Sequence, residues 1–164
     1  MKLATTIREK HDGALGDHMN VRLWLRLLSC TMVIEKRVKR RLTEQFDATL
    51  PRFGVLAALD RHPDGMTMGA LSSSLLVSNG NVTALVRLLE RDGQVAMSSS
   101  PSDRRASIVN LTASGAAHFK TMAGAHHEWI DAMMTGLSRQ QRETLFDLLG
   151  ALKLSIAGED HDES

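Results

Sequence analysis

Cysteine occurs once in these 164 residues, at Cys30, and tyrosine not at all. A single thiol excludes an internal disulfide framework. Aromatic residues make up 4% of the chain while methionine occurs nine times. With many leucines, that composition implies an adaptable helical core. No apolar run reaches membrane length and no secretory signal pattern opens the chain, so a soluble, cytoplasmic protein with no membrane partner is expected. A strong charge of either sign is also missing. The formal net charge is +1, which excludes a polybasic nucleic-acid coat. Between Pro51 and Thr112 there are six arginines, five acidic residues and no lysine. Any nucleic-acid contact there depends on where the charges sit, not on their total. No repeat, low-complexity linker or clear boundary appears, and the length suits one compact domain or a small domain with a dimerisation arm.

Signs of catalysis are equally sparse. There is no phosphate-binding glycine loop and no nucleophile elbow, and Cys30 lacks a credible catalytic partner. His126-His127-Glu128 with Asp131 suggests a metal site, since residues four apart share a helix face. The spacing matches no zinc pattern, however, and no second cluster supplies further ligands. A metal-binding enzyme is therefore the weaker class of function. The expectation is a chain that is not an enzyme, with no metal and no cofactor.

What is present is concentrated between Leu71 and Leu111. Thr67 to Leu76 reads as a short helix, Val77 as a turn and Ser78 to Asp92 as a second helix. Ser78 is a good N-cap, because its hydroxyl accepts from free backbone N–H groups of the first turn. At helical spacing Val82, Leu85, Val86 and Leu89 share one face, which must be buried. The opposite face carries Gly80, Ala84, Arg87 and Arg91, flanked by Asn81 and Thr83. Small residues let a helix axis approach base edges. Asn79 and Asn81 suit adenine, and Arg87 suits guanine or a phosphate. A plain core helix with a polar back is the competing reading. Gly80 argues against it, since glycine costs about 1 kcal/mol in a helix interior relative to alanine.

Asp92-Gly93 ends this helix, with Gly93 as a left-handed cap. Val95 to Ser99 and Ser107 to Leu111 have strand character, and Ser100 to Arg105 between them is turn-rich. Arg104 and Arg105 at the tip suit a narrow minor groove, and Asp103 can buttress Arg105. Taken alone, the tip reads better as an ordinary charged hairpin end, and it is the helix beside it that favours the DNA reading. Helix, turn, helix and ribbon in this order make a winged helix-turn-helix, whose second helix enters the DNA major groove.

The rest reads as a device for pairing two copies. Residues 1–17 form a loose arm. His18 to Glu44 is helical, with Trp24, Leu28, Thr31, Val38 and Leu42 along one stripe and Val21, Leu25 and Met32 on a second. A helix apolar over most of its girth is buried from more than one side, so a partner chain is inferred there. The run Lys36-Arg37-Val38-Lys39-Arg40-Arg41 reads as a solvated face rather than a nucleic-acid contact. Thr49-Leu50-Pro51 starts a helix with Phe53, Leu56 and Leu59 inward, and His62-Pro63-Asp64-Gly65 ends it. Thr112 caps a long helix to about Thr135. Ser138 and Gln141 form a capping box for the last helix, whose apolar face is Leu145, Leu148, Leu149, Leu152 and Ile156. Residues 158–164 form an acidic tail, expected to be disordered. The fold class is mainly α with a small β-wing. Residues 49–112 form the winged lobe, and residues 18–47 and 113–157 supply dimerisation helices, all within one domain over 1–164.

This sequence resembles the MarR-type (multiple antibiotic resistance regulator) transcriptional regulators over roughly His18 to Ile156. The resemblance rests on the order of elements, the Leu50 to Leu59 helix and Leu75-Leu76-Val77-Ser78-Asn79-Gly80-Asn81-Val82-Thr83. The family's wing motif Asp-x-Arg is matched by Asp103 and Arg105, and Leu111-Thr112-x-x-Gly115 continues it. The resemblance implies a homodimer on double-stranded DNA with a palindromic operator, usually a repressor released by a small-molecule effector. It places that ligand near the first helix, at Arg22, Trp24, Arg26 and Met32, with His126 or Trp129 as further candidates. Arg22 and Arg26, one turn apart, can receive a carboxylate or phosphate. Arginines beside an apolar stripe also snorkel or pair at a dimer edge. The phrase Arg22-Leu23-Trp24-Leu25-Arg26-Leu27-Leu28 is similar to members responding to aromatic acids or their CoA thioesters. Other relatives sense peroxide through a first-helix cysteine, which makes Cys30 a redox alternative. Its apolar neighbours Leu27, Leu28 and Met32 lead instead to a buried, inert thiol.

Overall fold

The polar residues that punctuate the sequence are where its helices begin. The computed structural model describes residues 18–75, 79–99 and 107–159. In chain order the elements are α1 (Met19–Phe46), α2 (Leu50–Asp60), β1 (Met66–Thr67), α3 (Met68–Leu75), α4 (Asn79–Arg91), β2 (Val95–Ser99), β3 (Ser107–Leu111), α5 (Ala113–Met134) and α6 (Arg139–Glu159). The Thr49 hydroxyl accepts from Arg52 N at 3.4 Å, with Pro51 in the first turn of α2. Thr67 accepts from Ala70 N at 3.2 Å and Thr112 from Gly115 N at 2.9 Å. Ser138 and Gln141 form the reciprocal capping box. Gln141 N donates to Ser138 Oγ at 3.2 Å, and Ser138 N donates to Gln141 Oε1 at 2.8 Å.

The chain divides into two compact units, Met1–His126 and His127–Ser164. In the first unit, Phe53, Val55, Leu56 and Leu59 of α2 are buried with Leu71 of α3 and Val82, Val86 and Leu89 of α4. Val38 and Leu42 of α1, Val95 and Val109 of the wing strands and Met122 of α5 are buried as well. Each fully buried side chain of this size stabilises by about 1.5–3 kcal/mol. Three of them on α4 outweigh the roughly 1 kcal/mol that Gly80 costs its helix. The α1 helix closes on Asp47, in the left-handed region at φ 48°, which short polar side chains tolerate better than most.

The wing strands have the expected bounds. β2 pairs antiparallel with β3 from Val95↔Leu111 to Ser99↔Ser107. A third strand, β1, is an addition to the sequence reading. Met66 pairs with Val109 and Thr67 with Ile108, so β3 is the middle strand of the order β1-β3-β2. Gly65 makes this pairing possible: its φ is +82°, and a Cβ there would stand 2.5 Å from Ile108 Cγ2 and from Asn110 Nδ2.

Several boundaries and one burial differ from expectation. α3 starts after Thr67 and is described to Leu75, while Leu76, Val77 and the capping Ser78 lie outside the described residues. α4 stops at Arg91 rather than Asp92, because Gly93 (φ +69°) turns the chain. Gly93 N bonds to Glu90 O at 2.9 Å and Gln94 N to Leu89 O at 2.8 Å, the paired bonds of a Schellman cap. In the second unit α6 runs through Glu159, so Gly158 and Glu159 are helical and not part of a tail. The loose arm expected for residues 1–17 and the remainder of the tail, 160–164, lie outside the described residues. Cys30 is exposed rather than buried. Leu27, one turn before it on the same side, and Leu28, on the far side, are themselves only half-buried and do not cover it. Among the described residues no helix is long and apolar enough to cross a membrane.

The tightest joint of the first unit is at the base of the wing. Gln94 O accepts from Thr112 N at 3.1 Å, and the Thr112 hydroxyl donates to Gly93 O at 2.7 Å. A Cβ on Gly115 would stand 1.8 Å from Gln94 O. Gly115→Ala must therefore displace backbone on one side or the other. It is expected to lower stability by about 2 kcal/mol or more, read as a drop in the urea midpoint at unchanged slope.

Candidate nucleic-acid interface

The two faces of α4 divide as its spacing requires. Val82, Val86 and Leu89 have no exposed surface, and Leu85 is half-buried. Gly80, Asn81, Ala84, Arg87 and Arg91 are exposed. Gly80, Ala84, Arg87 and Arg91 follow one another at steps of four, three and four residues, which keeps them on one side. A Cβ on Gly80 would meet nothing within 4 Å, so this surface is open at the start of the helix. Thr83 is half-buried and engaged, which sets it back from its neighbours. Asn79 opens the helix. Ser78 and the wing-tip residues Asp103, Arg104 and Arg105 lie outside the described residues. The strands that flank the tip are fixed in register by five paired positions.

Arg52 and Asp92 enter this site without a sequence signal. Arg52 Nη2, from the first turn of α2, donates to Asp92 Oδ2 just beyond the end of α4. The two residues lie 40 positions apart, and Asp92 had been legible only as a helix end. The other carboxylate oxygen, Oδ1, lies 3.5 Å from Arg91 Nε. The hydrogen bond from Arg52, and then the nearby positive charges of Arg52 and Arg91, hold the Asp92 carboxyl below its ordinary range, while partial desolvation opposes them.

Four of the ligand candidates are on α1, and they do not share one side of it. Arg22, Trp24, Arg26 and Met32 are exposed, with Trp24 59% exposed. Arg22 and Arg26 share a side, whereas Trp24, two residues from each, falls on the opposite one. Trp129 retains only 8% of its surface. His126 stacks against Phe53, ring centroids 5.0 Å apart, and His127 pairs with Asp131 at 3.2 Å in solvent. The two histidines thus serve different surfaces. A cavity of about 30 Å³ among Ala48, Arg52, Gln94, His118 and Met122 has room for a water or two, not for an aromatic acid.

Three helices in helix-turn-helix order, followed by a hairpin joined into a three-stranded sheet, define a winged helix-turn-helix protein. The model of the MarR family matches residues 46–106. A crystal structure of a MarR family transcriptional regulator from Silicibacter pomeroyi is 31% identical, covers 84% of this chain and 94% of that one, and superposes with a TM-score of 0.71. The transcriptional activatory protein BadR of Rhodopseudomonas palustris is 37% identical over 108 residues, 63% of this chain and 61% of BadR. The S. aureus MepR–DNA complex, 24% identical over 82% of this chain and 96% of that one, shares the fold at a TM-score of 0.69. The chain belongs to the MarR family. Membership places it among transcription regulators, not enzymes. It spans about three fifths of curated relatives it matches, 61% of BadR and 62% of the YdgJ regulator of Bacillus subtilis.

The depressed Asp92 value has a pH consequence with a definite sign. A carboxyl lowered on folding adds stability above its unfolded value, and that stability is lost as pH falls through the folded value. Urea midpoints of the wild type and Asp92→Asn should therefore differ at pH 6. They should converge as the pH drops below the ordinary carboxylate range.

Proposed function

We propose that this chain is a homodimeric, sequence-specific DNA-binding transcriptional regulator acting in the cytoplasm. One observation carries the reading: the outer face of α4 is open, narrow and uncharged at its start, and cationic only farther along. Asn79, Gly80, Asn81 and Thr83 are assigned to the major groove, with Arg87 at base or groove wall. Ser78 is assigned to the helix start, where backbone N–H groups hold a phosphate. Arg104 and Arg105 are assigned to the wing contact, with Asp103 orienting Arg105. A helical interaction protein without DNA would leave the Gly80–Ala84 face without a purpose.

Pairing of two copies is supported by the apolar surface each unit exposes. Val21, Leu23 and Met32 of α1 are exposed, and so are Leu145, Leu148, Leu149 and Ile156 of α6. Residues 49–112 are the reading lobe, with 18–47 and 113–157 given to the dimer. Two recognition helices then sit about 34 Å apart on a palindromic operator. The relatives carry both signs of control, an activatory protein in BadR and a repressor in IacR of Pseudomonas putida. Repression is our reading, relieved by an aromatic acid or its CoA thioester. Arg22 and Arg26 would receive the anion, with Trp24 and Met32 as the other candidate contacts.

A second reading makes the switch redox. It is favoured by the exposure of Cys30 and by likeness to an organic hydroperoxide resistance regulator of Bacillus subtilis. That protein is 26% identical over 83% of this chain and 89% of its own length. Peroxide-dependent release of DNA that persists in Cys30→Ser excludes it.

In a gel shift at physiological salt, the protein should prefer its own upstream intergenic DNA to random duplex. Sedimentation should give a dimer. Arg105→Ala should weaken operator binding by more than the ~0.5 kcal/mol of a routine surface change. Equal affinity for operator and random duplex overturns the reading, and a monomer overturns the pairing.

A further inference from the structure

Beyond the last turn of α4 a carboxylate joins two arginines that come from different helices. Arg52 is anchored in the first turn of α2 and its side chain is only 22% exposed. It donates to Oδ2 of Asp92. The opposite oxygen of Asp92 faces Arg91 Nε at 3.5 Å, and the Arg91 side chain is 72% exposed. The order is therefore a covered guanidinium, a half-covered carboxylate and an open guanidinium.

We propose that Arg91 contacts a DNA phosphate at the wall of the major groove, and that Asp92 and Arg52 are its positioning residues. The proposal rests on the DNA-binding reading above. Arg91 lies on the same stripe as Gly80 and Ala84, three turns along from the helix start. In this motif the N-terminal residues of the recognition helix meet base edges, so its far end reaches the backbone. Arginine offers a planar fork that matches phosphate oxygens.

The position of Asp92 argues that it is there for Arg91. A carboxylate beside a helix C-terminus sits at the negative end of the helix dipole, where it is disfavoured. An arginine in the last turn would suit that dipole unaided, so capping gives no reason for the acid. What Asp92 adds is direction. It ties a long, exposed side chain to a carboxylate that α2 already holds. Ordering Arg91 before DNA arrives lowers the entropy lost on binding. Arg52 gives its guanidinium to Asp92, which leaves Arg91 as the more open cation of the pair.

The test uses the full chain, its upstream intergenic duplex and a random duplex of equal length, with binding followed against salt. Each phosphate contact contributes about 0.9 to the slope of log affinity on log salt. Arg91→Gln should lower that slope by about 0.9 on both duplexes and weaken binding about eightfold at 0.1 M salt, with an unchanged thermal midpoint. Arg52→Gln should weaken both complexes, and Arg52→Lys should restore them. Unchanged slope and affinity in Arg91→Gln overturn the phosphate contact. If Arg52→Gln lowers the thermal midpoint but leaves DNA affinity intact, the positioning role is overturned. A wild type that binds neither duplex fails the DNA-binding reading itself, an outcome distinct from a wild type that binds and an Arg91→Gln variant that binds equally well.

Discussion

The carbonyl of Gln94 rests where any side chain at position 115 would stand, and three parts of the chain meet at that contact. The Schellman turn that ends the recognition helix delivers Gln94, which is also the residue before β2. Thr112, just after β3, bonds back to Gly93 and Gln94 while its hydroxyl caps α5. Helix end, wing base and helix start thus share one set of hydrogen bonds. A single close backbone approach, possible only beside glycine, sets the angle at which hairpin and helix leave the body of the unit.

Within that frame, α4 keeps its two duties on separate faces. The buried valines and leucine hold it against α2 and α3 with enough apolar surface to tolerate glycine at Gly80. The outer face is then free to be chosen for fit rather than for stability. Charge is kept from its first two turns and returns at Arg87 and Arg91. Asp92 is shared between Arg52 and Arg91, and the lowering of its carboxyl follows from that sharing. With a net charge near neutrality, such local arrangement is the means by which this chain can attract a polyanion at all.

Much of this was legible in the sequence where the signal is local. Strands β2 and β3 were readable to the residue because turn-rich sequence separates two short β-prone runs. The Ser138–Gln141 box and the Thr112 cap were readable because capping acts over three residues. Strand β1 was not, since two residues carry no period and their pairing is decided by Gly65 against β3. The Arg52–Asp92 bond spans 40 positions and leaves no trace in either neighbourhood. Cys30 was misread because apolar residues nearby do not by themselves cover a position, and Leu27, one turn away on its side, leaves it exposed. Gly158 was assigned to a tail on composition, although a glycine near a helix end interrupts little.

The short strand β1 has a larger effect than its length suggests. Through Met66 and Thr67 it pins the middle strand of the sheet to the segment that leaves α2, and Asn110 Nδ2 adds a bond at 3.5 Å to Pro63 O. The hairpin is therefore moored on both of its strands, on one side through β1 and on the other through Gln94. Neither rail can slide without dragging α2 or α5 along. A two-residue strand thus ties the sheet's middle rail to the exit of one helix, while its outer rail begins where another helix ends.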